Sequence, residues 1–196
     1  DVHKTELEKA GIEIVATETF QKGDVDYSAQ LTKIKAANPD IIVIGGLAEE
    51  TANIVRQARQ LGISSSTVIL GANAAISTKL AELAGEAAEG FIVGSGWFIS
   101  FDTPTNKKFV DAYRAEYGSD PDTFAAQAYA AVYVFADALK RAGGAGDTTA
   151  LRDAIAETKD LDTSLGVFSF DADREPVIEA KVLEMTDGKF VLAPTN

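Results

Sequence analysis

Between Asp40 and Asn73 the chain reads as strand, loop, helix, loop, strand, and that order restricts the folds open to it. Ile41, Ile42, Val43 and Ile44 are a β-branched run without polar alternation, the pattern of a strand buried on both faces in a parallel sheet. Gly45 and Gly46 end the run and let the backbone turn sharply. From Glu49 to Leu61 the spacing is helical. Ile54, Val55, Ala58 and Leu61 share one face, while Arg56, Gln57, Arg59 and Gln60 lie on others. Gly62 stands where a helix C-cap glycine is expected, and Val68-Ile69-Leu70 is the next strand, closed by Gly71. Parallel neighbours joined through a helix make a βαβ unit with a right-handed crossover. Ligands meet such sheets at the loops after the strand C-termini, here Gly45 to Glu50 and Gly71 to Ile76.

The remaining elements follow from similar cues. Thr5 to Ala10 reads as the end of a helix stopped by Gly11. Ile12, Ile14 and Ala16 alternate with Glu13, Val15 and Thr17, which predicts a strand. Tyr27 to Ala37 is an amphipathic helix ended by Asn38-Pro39, because the residue before proline avoids the helical region. Ser77 is a helix N-cap, and Phe91 to Gly94 a strand. Thr103-Pro104 opens a helix with proline at its first position, with Phe109, Tyr113 and Tyr117 spaced four apart along it. Asp122 or Thr123 caps the longest helix, about Phe124 to Ala142. Thr148 or Thr149 starts another, through Glu157. The tail turns to strands, with Val177 to Met185 read as one strand and Asp187-Gly188 as its hairpin turn.

Composition narrows the chemistry. A net charge of −12 argues against nucleic-acid binding and against docking on an anionic membrane. The absence of cysteine excludes disulfides, thiolate metal sites and a cysteine nucleophile. His3 is the single histidine, at the chain start, and no Gly-x-Ser-x-Gly elbow accompanies it, so a serine triad is not expected. Asp171-Ala172-Asp173 is similar to part of a calcium loop but lacks the glycine and distal glutamate, and reads as a solvated turn. No phosphate-binding glycine loop is present. Glu49-Glu50 reads as first-turn acids favoured by the helix dipole rather than an acid–base pair. No metal, no cofactor and no catalysis are therefore expected.

The order of Phe20-Gln21-Lys22-Gly23-Asp24-Val25-Asp26-Tyr27, Asp40-Ile41-Ile42-Val43 with Gly45-Gly46, Arg56-Gln57-Ala58-Arg59-Gln60-Leu61-Gly62, Ala87-Ala88-Glu89-Gly90, Ala128-Tyr129-Ala130-Ala131-Val132 and Asp187-Gly188-Lys189-Phe190 resembles the type I periplasmic solute-binding proteins. The likeness is to their Leu/Ile/Val-binding group, which serves ABC importers. It runs along nearly the whole chain. It implies an α/β fold: a parallel-sheet βαβ lobe over residues 1–97, helices of a first lobe over 98–160, and hinge strands with a C-terminal hairpin over 161–196. It also implies a small ligand, an amino acid or related metabolite, held between two lobes, with an ABC permease as partner and a periplasmic location. The positions matching the family's ligand contacts are Leu47, Asn73 and Phe124, with Ala48, Glu49, Ala72, Ala74 and Trp97 secondary. The branched-chain amino-acid binders often place an acidic residue near the Asn73 position to hold the ammonium, and here it is neutral. The family's chains are longer, so this one is expected to lack the first lobe's sheet-forming part and the second lobe's first strand. Self-association through the exposed sheet edge is then expected. Two further readings stay open: a sensor or receptor domain of the same fold, and a flavodoxin-like cofactor protein.

Overall fold

The computed structural model describes residues 2–194, with side chains from Lys4 onward, so the side chain of His3 lies outside the described residues. The chain divides into two compact units, residues 1–94 with 182–196, and residues 95–181.

The first unit begins with α1 (Val2–Lys9), α2 (Ser28–Ala37), β1 (Ile41–Ile44), α3 (Ala48–Gln60), β2 (Val68–Gly71), α4 (Thr78–Ala84) and β3 (Ile92–Ser95). The second unit holds α5 (Pro104–Tyr117), α6 (Thr123–Arg141), α7 (Thr148–Ala156), β4 (Leu161–Thr163), β5 (Gly166–Phe170) and β6 (Pro176–Val177). β7 (Lys181–Thr186) and β8 (Lys189–Leu192) then rejoin the first sheet, whose strand order is β1-β2-β3-β7-β8. β1 runs parallel to β2, and β2 to β3, as the βαβ reading requires.

Local chemistry explains the helix ends. Ser77 Oγ accepts from Lys79 N, Thr103 Oγ1 from Asn106 N, and Asp122 Oδ1 from Ala125 N, each satisfying a helix donor left without an intrahelical partner. At the C-terminus of α3, Gly62 takes a φ of +76° and donates to Arg59 O, while Ile63 N reaches back to Ala58 O. The Arg59 guanidinium then holds the loop into β2 through the carbonyls of Ser64 and Thr67. The buried face of α3 includes Ile54, Val55 and Ala58, and Leu31, Ile69 and Leu80 are buried in the same unit.

Three expectations are corrected. Residues 12–17 form no strand: the period-2 pattern is there, but no neighbouring strand completes a ladder with it among the described residues. The β1 run is not buried on both faces. Ile42 and Ile44 are buried, whereas Ile41 and Val43 are 40% and 43% exposed, because β1 is the edge strand and its second face is uncovered. Residues 177–185 do not make one strand either. Val177 pairs with Ser169 of β5, the backbone leaves the ladder over 178–180, and β7 then joins the first sheet. The tail closes as expected, with Asp187 and Gly188 both at positive φ in a two-residue turn between Thr186 and Lys189.

The second unit has its own core of Trp97, Phe109, Val110, Ala126, Ala130, Val134, Leu165 and Phe168. Its aromatics meet between and along helices: Phe109 of α5 lies 4.8 Å from Tyr129 of α6 between ring centroids, and Tyr129 lies 4.9 Å from Tyr133, one turn further along α6. The hydroxyls of Tyr129 and Tyr133 are 3.0 Å apart. That shared hydrogen bond, and then burial, push the Tyr129 phenol up to about 12. An unfolded tyrosine titrates near 10, so the native state holds this proton more tightly. The contribution to stability is complete below about pH 10 and lost as the pH rises through about 12. Phenolate absorbance should therefore show a late tyrosine phase near pH 12, which Tyr133→Phe moves toward lower pH. Titration of all five tyrosines together near pH 10 would count against the pair.

Candidate functional site

The C-terminal ends of β1 and β2 lie side by side because the strands are parallel and in register, Ile44 opposite Gly71. Ala72 N donates to Ile44 O at 3.1 Å, so the two strand-end loops begin at the same level. The first loop is Gly45-Gly46-Leu47. Gly46 fits closely there: a Cβ on it would lie 3.1 Å from Thr51 Oγ1 and 3.2 Å from a Phe20 ring carbon, so these side chains would have to give by a few tenths of an ångström. Leu47 occupies the N-cap of α3 in extended conformation without a capping side chain, and is 46% exposed. The second loop turns at once into a short 3₁₀ helix, Asn73–Ala75, which leaves Asn73 exposed and buries Ala75.

Sequence reasoning grouped Leu47, Ala48, Glu49, Ala72, Asn73 and Ala74, and all six stand in these two loops or the first turn of α3. Leu47, Glu49 and Asn73 are exposed, and Ala48, Ala72 and Ala74 are half-buried. The first turn of α3 adds backbone N–H groups that the helix itself leaves without partners, beginning at Ala48. In the second unit, Phe124 stands in the first turn of α6 with its ring 55% exposed. Trp97 is only 4% exposed, and its indole N–H donates to Asn106 Oδ1 at 2.7 Å. Its place is in that unit's core, which leaves little ring surface for a ligand.

Glu50 departs from the first-turn reading. It is 8% exposed, and its Oε1 accepts from Gly23 N at 3.4 Å, while Oε2 has no hydrogen-bond partner among the described residues. The same loop is held by Gln57, which accepts from Tyr27 N and donates to Val25 O, both at 2.8 Å. Burial raises the Tyr27 phenol, with the charges of Glu50 and Asp24 adding to it. No sequence signal marks Glu50 off from Glu49, because the two differ only in which side of the helix meets the loop before α2. An apolar groove of about 730 Å³ runs along β1 from Ile42 to Leu47 and is lined also by Glu18, Phe20, Leu31 and Glu50. At Asp171 the carboxylate accepts from Asp173 N and Glu175 N, so it closes a turn.

The strand-end loops of this parallel sheet thus expose an apolar, an acidic and a polar side chain, Leu47, Glu49 and Asn73. The model of the periplasmic binding protein family matches residues 2–189. The chain belongs to that family. The leucine-, isoleucine-, valine-, threonine- and alanine-binding protein of Pseudomonas aeruginosa is 30% identical over 171 residues, which is 87% of this chain and 44% of that protein. Among solved structures, the leucine-binding protein LivK of Thermotoga maritima superposes with a TM-score of 0.89 at 31% identity, over 97% of this chain and 54% of that one. LivJ of Streptococcus pneumoniae, a branched-chain amino acid transporter substrate-binding protein in complex with isoleucine, gives 0.82 at 38% identity, over 96% of this chain and 53% of the other. The chain spans about half the length of the curated relatives it matches. No helix among the described residues is long and apolar enough to cross a membrane.

Proposed function

We propose that this chain is part of a non-catalytic solute-binding protein of an ABC importer, working outside the cytoplasm with a membrane permease as partner. Its ligand is a small amino acid or a related metabolite with a polar and an apolar end. The observation that carries this reading is the pair of adjacent strand-end loops, Gly45 to Glu49 and Ala72 to Ala74, on a family fold whose relatives are named for binding branched-chain amino acids. Leu47 supplies an apolar contact to the ligand side chain. The uncapped first turn of α3 suits a carboxylate. Asn73 offers an amide, which pairs with a hydroxyl, carbonyl or amide more readily than it holds an ammonium against water.

One wall of a site binds weakly, because few groups meet the ligand while the cost of immobilising it is undiminished. Leucine, isoleucine and valine are expected to shift the amide resonances of Leu47 and Asn73 with a Kd of about 1 mM or weaker, and Asn73→Ala to reduce those shifts. If none of these amino acids perturbs either loop at millimolar concentration, the reading fails. Micromolar affinity in calorimetry would instead refute the idea that only one wall is present.

A further inference from the structure

Four of the chain's five tyrosines and its single tryptophan stand in one run of neighbouring rings within the second unit. Trp97 meets Phe109 edge-on, with ring centroids 6.2 Å apart. From Phe109 the run divides. One branch follows α5, through Tyr113 at 6.0 Å and then Tyr117, 4.5 Å from Tyr113. The other crosses to α6, where Tyr129 and Tyr133 stand in contact. Exposure rises along the α5 branch. Trp97 and Phe109 are buried, Tyr113 is half-buried, and Tyr117 is 66% exposed. The fifth tyrosine, Tyr27, belongs to the first unit and pairs with Phe20.

Three features give this run a chemical consequence beyond packing. The second unit contains no cysteine, methionine or histidine, so tryptophan and tyrosine are its readily oxidised side chains. The Trp97 indole N–H donates to Asn106 Oδ1, and an amide oxygen is too weak a base to take the proton. An indole that loses an electron there keeps its proton and remains a strong oxidant. A phenol, in turn, is easier to oxidise than an indole once its proton has somewhere to go. Tyr117 can hand that proton to water. The Tyr129 and Tyr133 hydroxyls bond to each other and the Tyr129 proton is held tightly, which makes the α6 branch the poorer exit.

We propose that the α5 branch carries one-electron oxidation from Trp97 to Tyr117, and that Tyr117 is the oxidative modification site of the second unit. A one-electron radical oxidant takes an electron from the Trp97 indole and is itself reduced, leaving the indole radical cation. An electron then passes from the Tyr117 ring to Trp97 through the rings of Tyr113 and Phe109. The indole is restored, the Tyr117 phenolic proton goes to water, and a neutral phenoxyl remains at the surface. Two such phenoxyls, from two copies of the chain, join by a carbon–carbon bond between ring positions next to the hydroxyls. The two ring hydrogens move to the oxygens, which gives dityrosine. The buried indole is spared, and with it the hydrogen bond that ties Trp97 to Asn106.

The test is a light flash at a wavelength absorbed by tryptophan alone, applied to the full chain with hexaamminecobalt(III) as the one-electron acceptor. The visible absorbance of the indole radical is expected to decay in a first-order process independent of protein concentration, while the phenoxyl band rises at the same rate. Dityrosine fluorescence follows, and peptide mapping is expected to place the cross-link at Tyr117. Tyr117→Phe should lose most of the cross-link with Trp97 emission and the unfolding midpoint unchanged, and Tyr133→Phe should retain it. The path is refuted if the indole radical decays without a matching phenoxyl rise, or if the rate of that rise depends on protein concentration. Tyr117 is refuted as its end if no cross-link forms, if the cross-link maps to another tyrosine, if it survives Tyr117→Phe undiminished, or if Tyr133→Phe abolishes it.

Discussion

Gly71→Ala is expected to destabilise the first unit by about 3 kcal/mol or more, one of the two largest effects of any single substitution considered. The new Cβ would lie 2.1 Å from Phe91 Cζ and 2.9 Å from both flanking ring carbons. Phe91 cannot yield cheaply. It is 1% exposed, its N–H bonds to Ala88 O and its carbonyl accepts from Met185 N, and its ring meets Phe190 edge-on at 6.3 Å. Either the ring leaves its well or β2 moves away from β3. Gly71 directly precedes Ala72 and Asn73, so any shift of β2 also displaces the second loop. Urea unfolding followed by circular dichroism measures the loss. The double variant Gly71→Ala with Phe91→Leu gives the decisive check, because the smaller side chain relieves the collision. The two substitutions should then cost clearly less together than the sum of their separate effects, and strict additivity would show that the contact is not the cause.

Asn106→Leu should be comparably damaging to the second unit, at about 3–5 kcal/mol. The Asn106 side chain is fully buried and links the aromatic segment to α5. It accepts from Trp97 Nε1 at 2.7 Å and donates to the carbonyls of Ile99 at 3.2 Å and Phe101 at 3.0 Å. Leucine fills similar space but leaves the Trp97 indole N–H and the Ile99 carbonyl without the Asn106 amide, each costing about 1–3 kcal/mol, while Phe101 O keeps the bond from Thr103 N. Trp97 is the chain's single tryptophan, so its emission reports this unit alone. A loss under 1 kcal/mol would show that water or a rearranged turn satisfies these groups.

Much of the fold was legible because it depends on local codes. The β-branched run at Ile41–Ile44, the helical face of Ile54, Val55 and Ala58, the glycine at 62 and the caps at Ser77, Thr103 and Asp122 each act over a few residues. That Leu47, Ala48, Glu49, Ala72, Asn73 and Ala74 stand in two neighbouring loops was legible for a topological reason. Once two consecutive strands are parallel, their C-terminal loops must be neighbours. Glu50 and Trp97 were not legible in this way. Whether an acid in a first helical turn meets water or a buried loop, and whether an aromatic faces a cleft or a core, depends on which distant segment packs against it. Gly23 lies 27 positions from Glu50 and Asn106 nine from Trp97.

The sequence by itself determined the element types, the parallel βαβ start and the absence of thiol chemistry, because periodicity, capping and composition are properties of neighbours along the chain. Only the tertiary structure decided which of these patterns found a partner. Residues 12–17 have the alternation of a strand and are not one, and 177–185 has the run of a single strand and divides between two sheets. The run at 41–44 has the composition of a central strand and stands at an edge. A strand exists only through hydrogen bonds to another strand, so its identity, its burial and the open groove beside β1 are set by what lies alongside it in space.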